Sequence, residues 1–353
     1  MAKSFAIATF NTLNLLHPGV FFAGRPNDKP YSTEVYDDKV EWIARVLKEG
    51  NVSLAGLQEL FSATALNKVT TLAGFDHAYA PDIKDGKNIT SDANDRKEAA
   101  GPFVGLISKY PIIAARTVVE FPDEVKGIEI QGGEAATDLK RLPVTRFQRP
   151  VIQADVQLRD DVTATVFVAH LKSKRPLLLE REIADEKNPI VTAAGSARSL
   201  IVRAAESIAL RKLIVDATQN NQKPVILFGD LNDDLSAVTT QIIAGEEPFR
   251  FARLEEKKVE WDRLLYSVHD LEEQESYRDV SYTHIFNGRY ELLDHIFVSQ
   301  EFFHRNPDRI ATVRNTRIFN DHLQDERRAV NPGRGPSRRS DHGIPVTEIE
   351  WQR

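Results

Sequence analysis

The chain has 353 residues, 46 Lys and Arg against 52 Asp and Glu, a net charge of −6 and no cysteine. Without thiols there are no disulfides and no thiolate metal centres, so any metal must be held by oxygen and imidazole, which favours hard divalent ions such as Mg²⁺ or Mn²⁺. No apolar run is long enough to cross a bilayer and the opening residues lack the apolar core of a leader peptide, so a cytoplasmic protein is expected.

The predicted elements alternate between period-2 and period-3.6 patterns. "FAIATFN" (5–11) reads as a buried strand. Residues 33–49 follow as a helix with Tyr36, Val40, Ile43 and Leu47 on one face and Gly50 at its end. "VSLAGLQEL" (52–60) is the next strand. Ser62 caps a helix carrying Leu66, Val69 and Leu72, stopped by Gly74, and Asp76-His77 reads as a turn. After a polar loop (82–100) come the strand-like runs "FVGLISK", "PIIAARTVVEF", "RPVIQADVQL" and "VTATVFVAHLK". Residues 191–218 form a long helix, and "KPVILFGDLN" (223–232) is an apolar strand with a polar end. "SYTHIFNGRYELLDHIFVS" (281–299) reads as a hairpin turning at Asn287-Gly288, and "HGIPVTEIEW" is the last strand.

Strand pairs without intervening helices, mixed with βα units, point to antiparallel or mixed sheets. No linker or composition break marks a second domain, so a single domain over 1–353 is expected. Charge is uneven: residues 305–339 hold nine Arg and four acidic residues, a basic segment on an acidic body that suits a polyanion site or a solvated loop.

Polar residues recur at the ends of the apolar runs. Asn11 closes the first strand, Glu59 lies near the end of the second, His170 ends "VTATVFVAH", Asp230 and Asn232 end "VILFGDLN", and Asp341 and His342 precede the last strand. Each has a plain reading by itself: a turn Asn, a solvated Glu, a satisfied buried imidazole, an Asx turn. Their shared placement argues for chemistry, because strand ends hold side chains rigidly beside a cleft.

The segments "TFNTLN" (9–14), "LQEL" (57–60), "VGLISKYPI" (104–112), "RPVIQADV" (149–156), "VAHLKSK" (168–174), "LFGDLND" (227–233), "LLDHIFVS" (292–299) and "SDHGIPV" (340–346) run in the order of the endonuclease/exonuclease/phosphatase superfamily, which the chain resembles over nearly its whole length. The resemblance implies an α/β fold, a four-layer sandwich of two mixed β-sheets packed face to face with helices outside. It implies a divalent-metal-dependent phosphodiester hydrolase using Mg²⁺ or Mn²⁺. Glu59 is then the carboxylate ligand, Asn11 supports the metal or its waters, and Asp341 helps hold it or takes a second ion. His342 acts as general base, oriented by Asp294. Asp230 positions or deprotonates water, and Asn232 holds that water or a phosphate oxygen. His170, when protonated, donates to the phosphate, with Asp95 or Glu98 as acidic partner, and Arg96 touches phosphate.

Of the four Asp-His pairs, Asp321-His322 matches no motif, and His295 is read as structural. Phe10 stands where the family often has Trp. Segments 119–146, 173–195 and 305–339 read as insertions flanking the cleft, leaving substrate identity open. Lys172 and Lys174 beside His170, with the Arg-rich segment, suit a phosphate backbone, so a nuclease acting on DNA or RNA is the first reading, with nucleic acid as partner and no membrane association. A phosphoesterase for small-molecule or phospholipid esters is the alternative. A catalytically dead binding module is a third, disfavoured because every motif position is filled.

Overall fold

The computed structural model describes residues 5–22, 30–81, 89–91, 97–99, 101–131, 139–219, 223–234, 236–246, 253, 256, 263–267, 282, 284–286, 289–291, 311–319 and 344–351. The expectations for Asp95, Arg96, Asp294, His295, Asp321, His322, Asp341, His342 and the Asn287-Gly288 turn lie outside the described residues, as does the side chain of Glu98.

The elements in chain order are β1 (Ala6–Leu15), β2 (Phe21–Phe22), α1 (Thr33–Glu49), β3 (Val52–Leu60), α2 (Ala63–Ala73), β4 (His77–Tyr79), β5 (Ile89–Ser91), β6 (Lys97–Ala99), β7 (Phe103–Ser108), β8 (Ile112–Glu120), β9 (Ile128–Gln131), β10 (Leu139–Leu142), β11 (Arg146–Arg159), β12 (Val162–His170), α3 (Pro189–Thr218), β13 (Val225–Asp230), α4 (Val238–Ala244), β14 (His284–Phe286), β15 (Arg289–Glu291), β16 (Ala311–Phe319) and β17 (Ile344–Trp351). They fall into two compact units, 1–246 with 262–264, and 247–261 with 265–353.

The first unit holds two mixed four-stranded sheets, ordered β1-β3-β7-β4 and β13-β12-β11-β8. In one, β1 and β3 are parallel while β7 runs antiparallel to β3 and β4. In the other, β12 and β13 are parallel while β11 runs antiparallel to β12 and β8. Alternation along β12 aims Ala164, Val166 and Val168 at the facing sheet, where, with Ile152 and Phe228 of their own sheet, they pack against Leu54, Val104 and Leu106. The sheets approach so closely that a Cβ on Gly56 would lie 2.4 Å from the Cβ of Phe228. On the outer face of the first sheet, α1 and α2 bury Tyr36, Val40, Ile43, Leu47, Leu66 and Val69 against Ala55, Leu57, Phe103 and Ile107. The α3 helix lies against the second sheet, burying Ala205, Ala209, Leu210, Leu213 and Ile214. Helices outside two facing mixed sheets is the expected α/β sandwich.

Local signals set the boundaries. Ser32 and Ser62 accept from Val35 N–H and Ala65 N–H as N-caps, and Gly74 ends α2 in the left-handed conformation that glycine adopts without strain. Three expectations shift. Leu72 is 37% exposed, and Ala65, Thr70 and Ala73 complete the buried face of α2 instead. His77 opens strand β4, paired with Ser108, rather than closing a turn. Strand β1 continues to Leu15 through a register break after Asn11, because residues 12–14 bulge between the pairs Asn11–Gln58 and Leu15–Leu60. In the second unit, β14 pairs with β15 and β16 with β17, both antiparallel; the first of these is the expected hairpin.

Candidate functional site

The C-terminal ends of the parallel pairs β1–β3 and β12–β13 bring the polar strand ends together. The amide nitrogen Nδ2 of Asn11 donates to Asp230 Oδ2 at 2.9 Å and to Glu59 Oε1 at 3.2 Å, so one amide joins two carboxylates. Asn11 Oδ1 accepts from Leu13 N–H at 2.9 Å, and Glu59 Oε2 accepts from Asn14 N–H at 2.8 Å. The β1 bulge is thus folded around the two side chains.

The backbone is unusual here. Leu13, Asn14, Glu59 and Asn232 have φ of 50°, 54°, 61° and 56°, four of the five non-glycine left-handed residues among those described. Such conformations cost of order 1–3 kcal/mol each and persist where surrounding contacts over-determine them. At Asn232 those contacts are its N–H on Asp230 Oδ1 at 3.0 Å, the expected Asx turn, and its Nδ2 on the carbonyl of Leu171 at 3.0 Å.

His170 is 2% exposed, with Nε2 3.5 Å from Asp230 Oδ2. Its Nδ1 has no hydrogen-bond partner among the described residues. Burial and the nearby Arg149 charge push its pKa down to about 4, with Asp230 pulling the other way. The imidazole is therefore neutral near pH 7 and donates from one nitrogen only.

Three charged residues belong to this surround that the sequence reading did not single out. Arg149, at the entry of β11, donates from Nη1 to the carbonyl of Leu171 at 3.0 Å; burial lowers its pKa while Glu206, Glu59 and Asp230 favour its charge. Glu206 and Arg203 sit on the inner face of α3. Arg149 lies inside a quoted motif but reads there as a strand flank. The signal for the other two was an Arg and a Glu three residues apart on the buried stripe of a long helix.

The lysines expected to meet substrate already have partners. Lys172 turns its ammonium onto the carbonyls of Ser173 and Arg175, each at 3.0 Å. Lys174 pairs with Asp233 at 3.0 Å and lies 3.7 Å from Asp234. Burial alone would raise the Asp233 pKa, but the Thr239 hydroxyl, Lys174 and Arg203 outweigh it and hold the carboxyl at about 2.

Glu59 and Asp230 supply hard carboxylate oxygens, the donor type a divalent cation such as Mg²⁺ takes, while Asn11 turns its amide nitrogen toward both and its oxygen toward Leu13 N–H. Among the described residues no three acidic or imidazole side chains close around one point.

No curated protein matches the chain. Among solved structures it is similar to a β-hairpin deletion mutant of beta toxin from Staphylococcus aureus, at 12% identity over 69% of this chain and 72% of that one, TM-score 0.41. A mannosyl-6-phosphatase from Bacteroides thetaiotaomicron is similar at 11% identity over 68% and 70%, TM-score 0.38. Sphingomyelinase C from Streptomyces griseocarneus is similar at 16% identity over 67% and 66%, TM-score 0.37. The profile of the Endonuclease/Exonuclease/phosphatase family matches residues 8–342, nearly the whole length, and the chain belongs to that family.

Proposed function

We propose that the chain is a divalent-metal-dependent phosphodiester hydrolase, with nucleic acid as its first candidate substrate. The carrying observation is the single amide of Asn11 that brings the Glu59 and Asp230 carboxylates together beside the buried His170. A phosphodiester is anionic and repels nucleophiles, so hydrolysis needs charge neutralisation and an oriented water. When bound, a Mg²⁺ or Mn²⁺ ion supplies the positive charge that polarises the phosphate. Glu59 holds that ion, with Asn11 fixing the carboxylate and Asp341 assisting. Asp230 accepts a hydrogen bond from the attacking water, and Asn232 fixes the loop that aims it. His170 Nε2 faces Asp230 and donates toward a phosphate oxygen, and Arg149 adds positive charge behind both. His342, oriented by Asp294, is the proposed general base, and Arg96 a phosphate contact.

A second reading has its own support. Lys172 and Lys174 are committed to loop carbonyls and to Asp233, so they offer less to a polymeric backbone than their sequence positions imply. That favours a compact ester of a sugar, nucleotide or phospholipid headgroup as the alternative substrate class. The test incubates the purified protein with plasmid DNA, RNA, bis(p-nitrophenyl) phosphate and a panel of phosphomonoesters, with Mg²⁺, Mn²⁺ or chelator, beside His342→Ala. Metal-dependent cleavage of a polymer, weakening steeply with salt, supports the nuclease reading. Small esters cleaved while both polymers survive select the alternative. Equal turnover by the His342→Ala protein removes that residue from its proposed role.

A further inference from the structure

One turn of α3 buries two charges for which the proposed chemistry has no use. Glu206 is fully buried and Arg203 is 4% exposed, three residues apart on one helix face. We infer that Arg203 and Glu206 are positioning residues that lock the three segments carrying Arg149, His170 and Asn232 into one geometry. The inference rests on the proposed phosphodiester hydrolysis for its catalytic consequence, and on the hydrogen bonds alone for the lock itself.

The peptide of Lys172, two residues beyond His170, is gripped at both ends. Its N–H donates to Glu206 Oε2 at 2.7 Å, and its carbonyl accepts from Arg203 Nη1 at 3.1 Å. The second oxygen of Glu206 accepts from the N–H of Gln148 at 2.8 Å, which fixes the backbone just before Arg149. The Nε of Arg203 donates to Asp233 Oδ2 at 2.9 Å, beside Asn232, and the Thr239 hydroxyl donates to the same oxygen at 2.6 Å. The segments are cross-tied as well, since the Leu171 carbonyl accepts from both Arg149 and Asn232. Two side chains from one rigid helix thus fix the entry of β11, the exit of β12 and the exit of β13.

Apolar residues would fill this space without the desolvation penalty that buried charges carry. Charged groups bring directed lone pairs and donors. Glu206 needs two acceptor oxygens, whereas a Gln has one acceptor and would set its NH₂ against a backbone N–H. Arg203 needs a planar fork to reach a carbonyl and a carboxylate together, whereas a Lys presents a single point of charge.

The test compares Glu206→Gln and Arg203→Lys with Leu210→Ala, a cavity variant on the same helix, in the full chain. Each is assayed on bis(p-nitrophenyl) phosphate with Mn²⁺, well below its own unfolding temperature. The lock predicts that Glu206→Gln and Arg203→Lys lose between about tenfold and 100-fold in kcat with KM within about twofold, since small misplacements of reacting groups cost rates of that order. Leu210→Ala keeps its kcat despite an equal or larger fall in unfolding temperature. Amide hydrogen exchange reads the lock without any activity. In Glu206→Gln, exchange should quicken at Gln148 and Lys172 and stay unchanged at Val166 and Val168. Unchanged exchange at Gln148 and Lys172 overturns the lock. So does kcat retained in both charge variants, or an equal kcat loss in Leu210→Ala. Should the wild-type protein cleave no ester, the proposed function fails while the exchange result still decides the lock.

Discussion

The side-chain amide of Asn11 lies 2.9 Å from the carboxylate of Asp230, a hydrogen bond that links β1 of one sheet to β13 of the other across 219 positions of sequence. The same nitrogen reaches Glu59, so two carboxylates from different sheets share one neutral donor. Two like charges held this close repel, and the amide offsets part of that repulsion. A divalent cation would offset far more of it.

Replacing that donor exposes the repulsion. Asn11→Asp places a third carboxyl against Glu59 and Asp230 and removes both hydrogen bonds. In chelator the variant should lose on the order of 1–3 kcal/mol of stability, the scale for leaving polar partners unsatisfied at a partly buried site. Millimolar Mn²⁺ should restore much of it, because a cation binding the folded state stabilises by mass action. Thermal unfolding with and without metal checks this, and an identical deficit in both conditions would show that no ion binds here.

Asp230 is nearly isosteric with Asn, so Asp230→Asn should fold while losing its charge beside His170. Turnover of an activated phosphodiester should fall by about 10²-fold or more, the scale for removing an acid–base or electrostatic group. Steady-state kinetics beside a circular dichroism melt separate chemistry from folding. Turnover within threefold of wild type would exclude Asp230 from the reaction.

His170 should make stability depend on pH. Its folded pKa of about 4 lies below the ordinary 6.5, so on acidification the unfolded chain takes up the proton first. The stabilisation is complete above about pH 6.5 and lost as pH falls toward 4, amounting to about 3 kcal/mol if the whole shift is expressed. Urea unfolding between pH 7 and 4, in chelator, should show this loss in the wild type. His170→Gln should flatten that part of the curve, and parallel curves for the two proteins would contradict the assigned environment.

The close approach of the sheets at Gly56 gives a stability prediction remote from the chemistry. A methyl there would meet Phe228 and Val168 within 3.0 Å. Gly56→Ala should destabilise by about 1–3 kcal/mol through overpacking, lowering the unfolding temperature by several degrees. A melt within one degree of wild type would mean that the sheets separate easily.

Local rules made much of this protein legible before any fold was known. Periodicity with Gly50, Ser62 and Gly74 delimited α1 and α2, and the apolar runs delimited β3, β12 and β13, because capping and face burial act within a few residues of chain. The absence of cysteine restricted any metal to hard donors, and the order of the motifs pointed to the family. Position along the chain also singled out Asn11, Glu59, His170, Asp230 and Asn232, since strand ends are visible in sequence. Their convergence was decided by tertiary structure, because only sheet packing sets which strand ends meet. The same holds for the lysines: Lys174 reads as free until Asp233, 59 positions away, folds against it. Arg149, Arg203 and Glu206 acquire their roles in the same way, since a buried charge is defined by the lone pairs and donors that distant segments bring within reach.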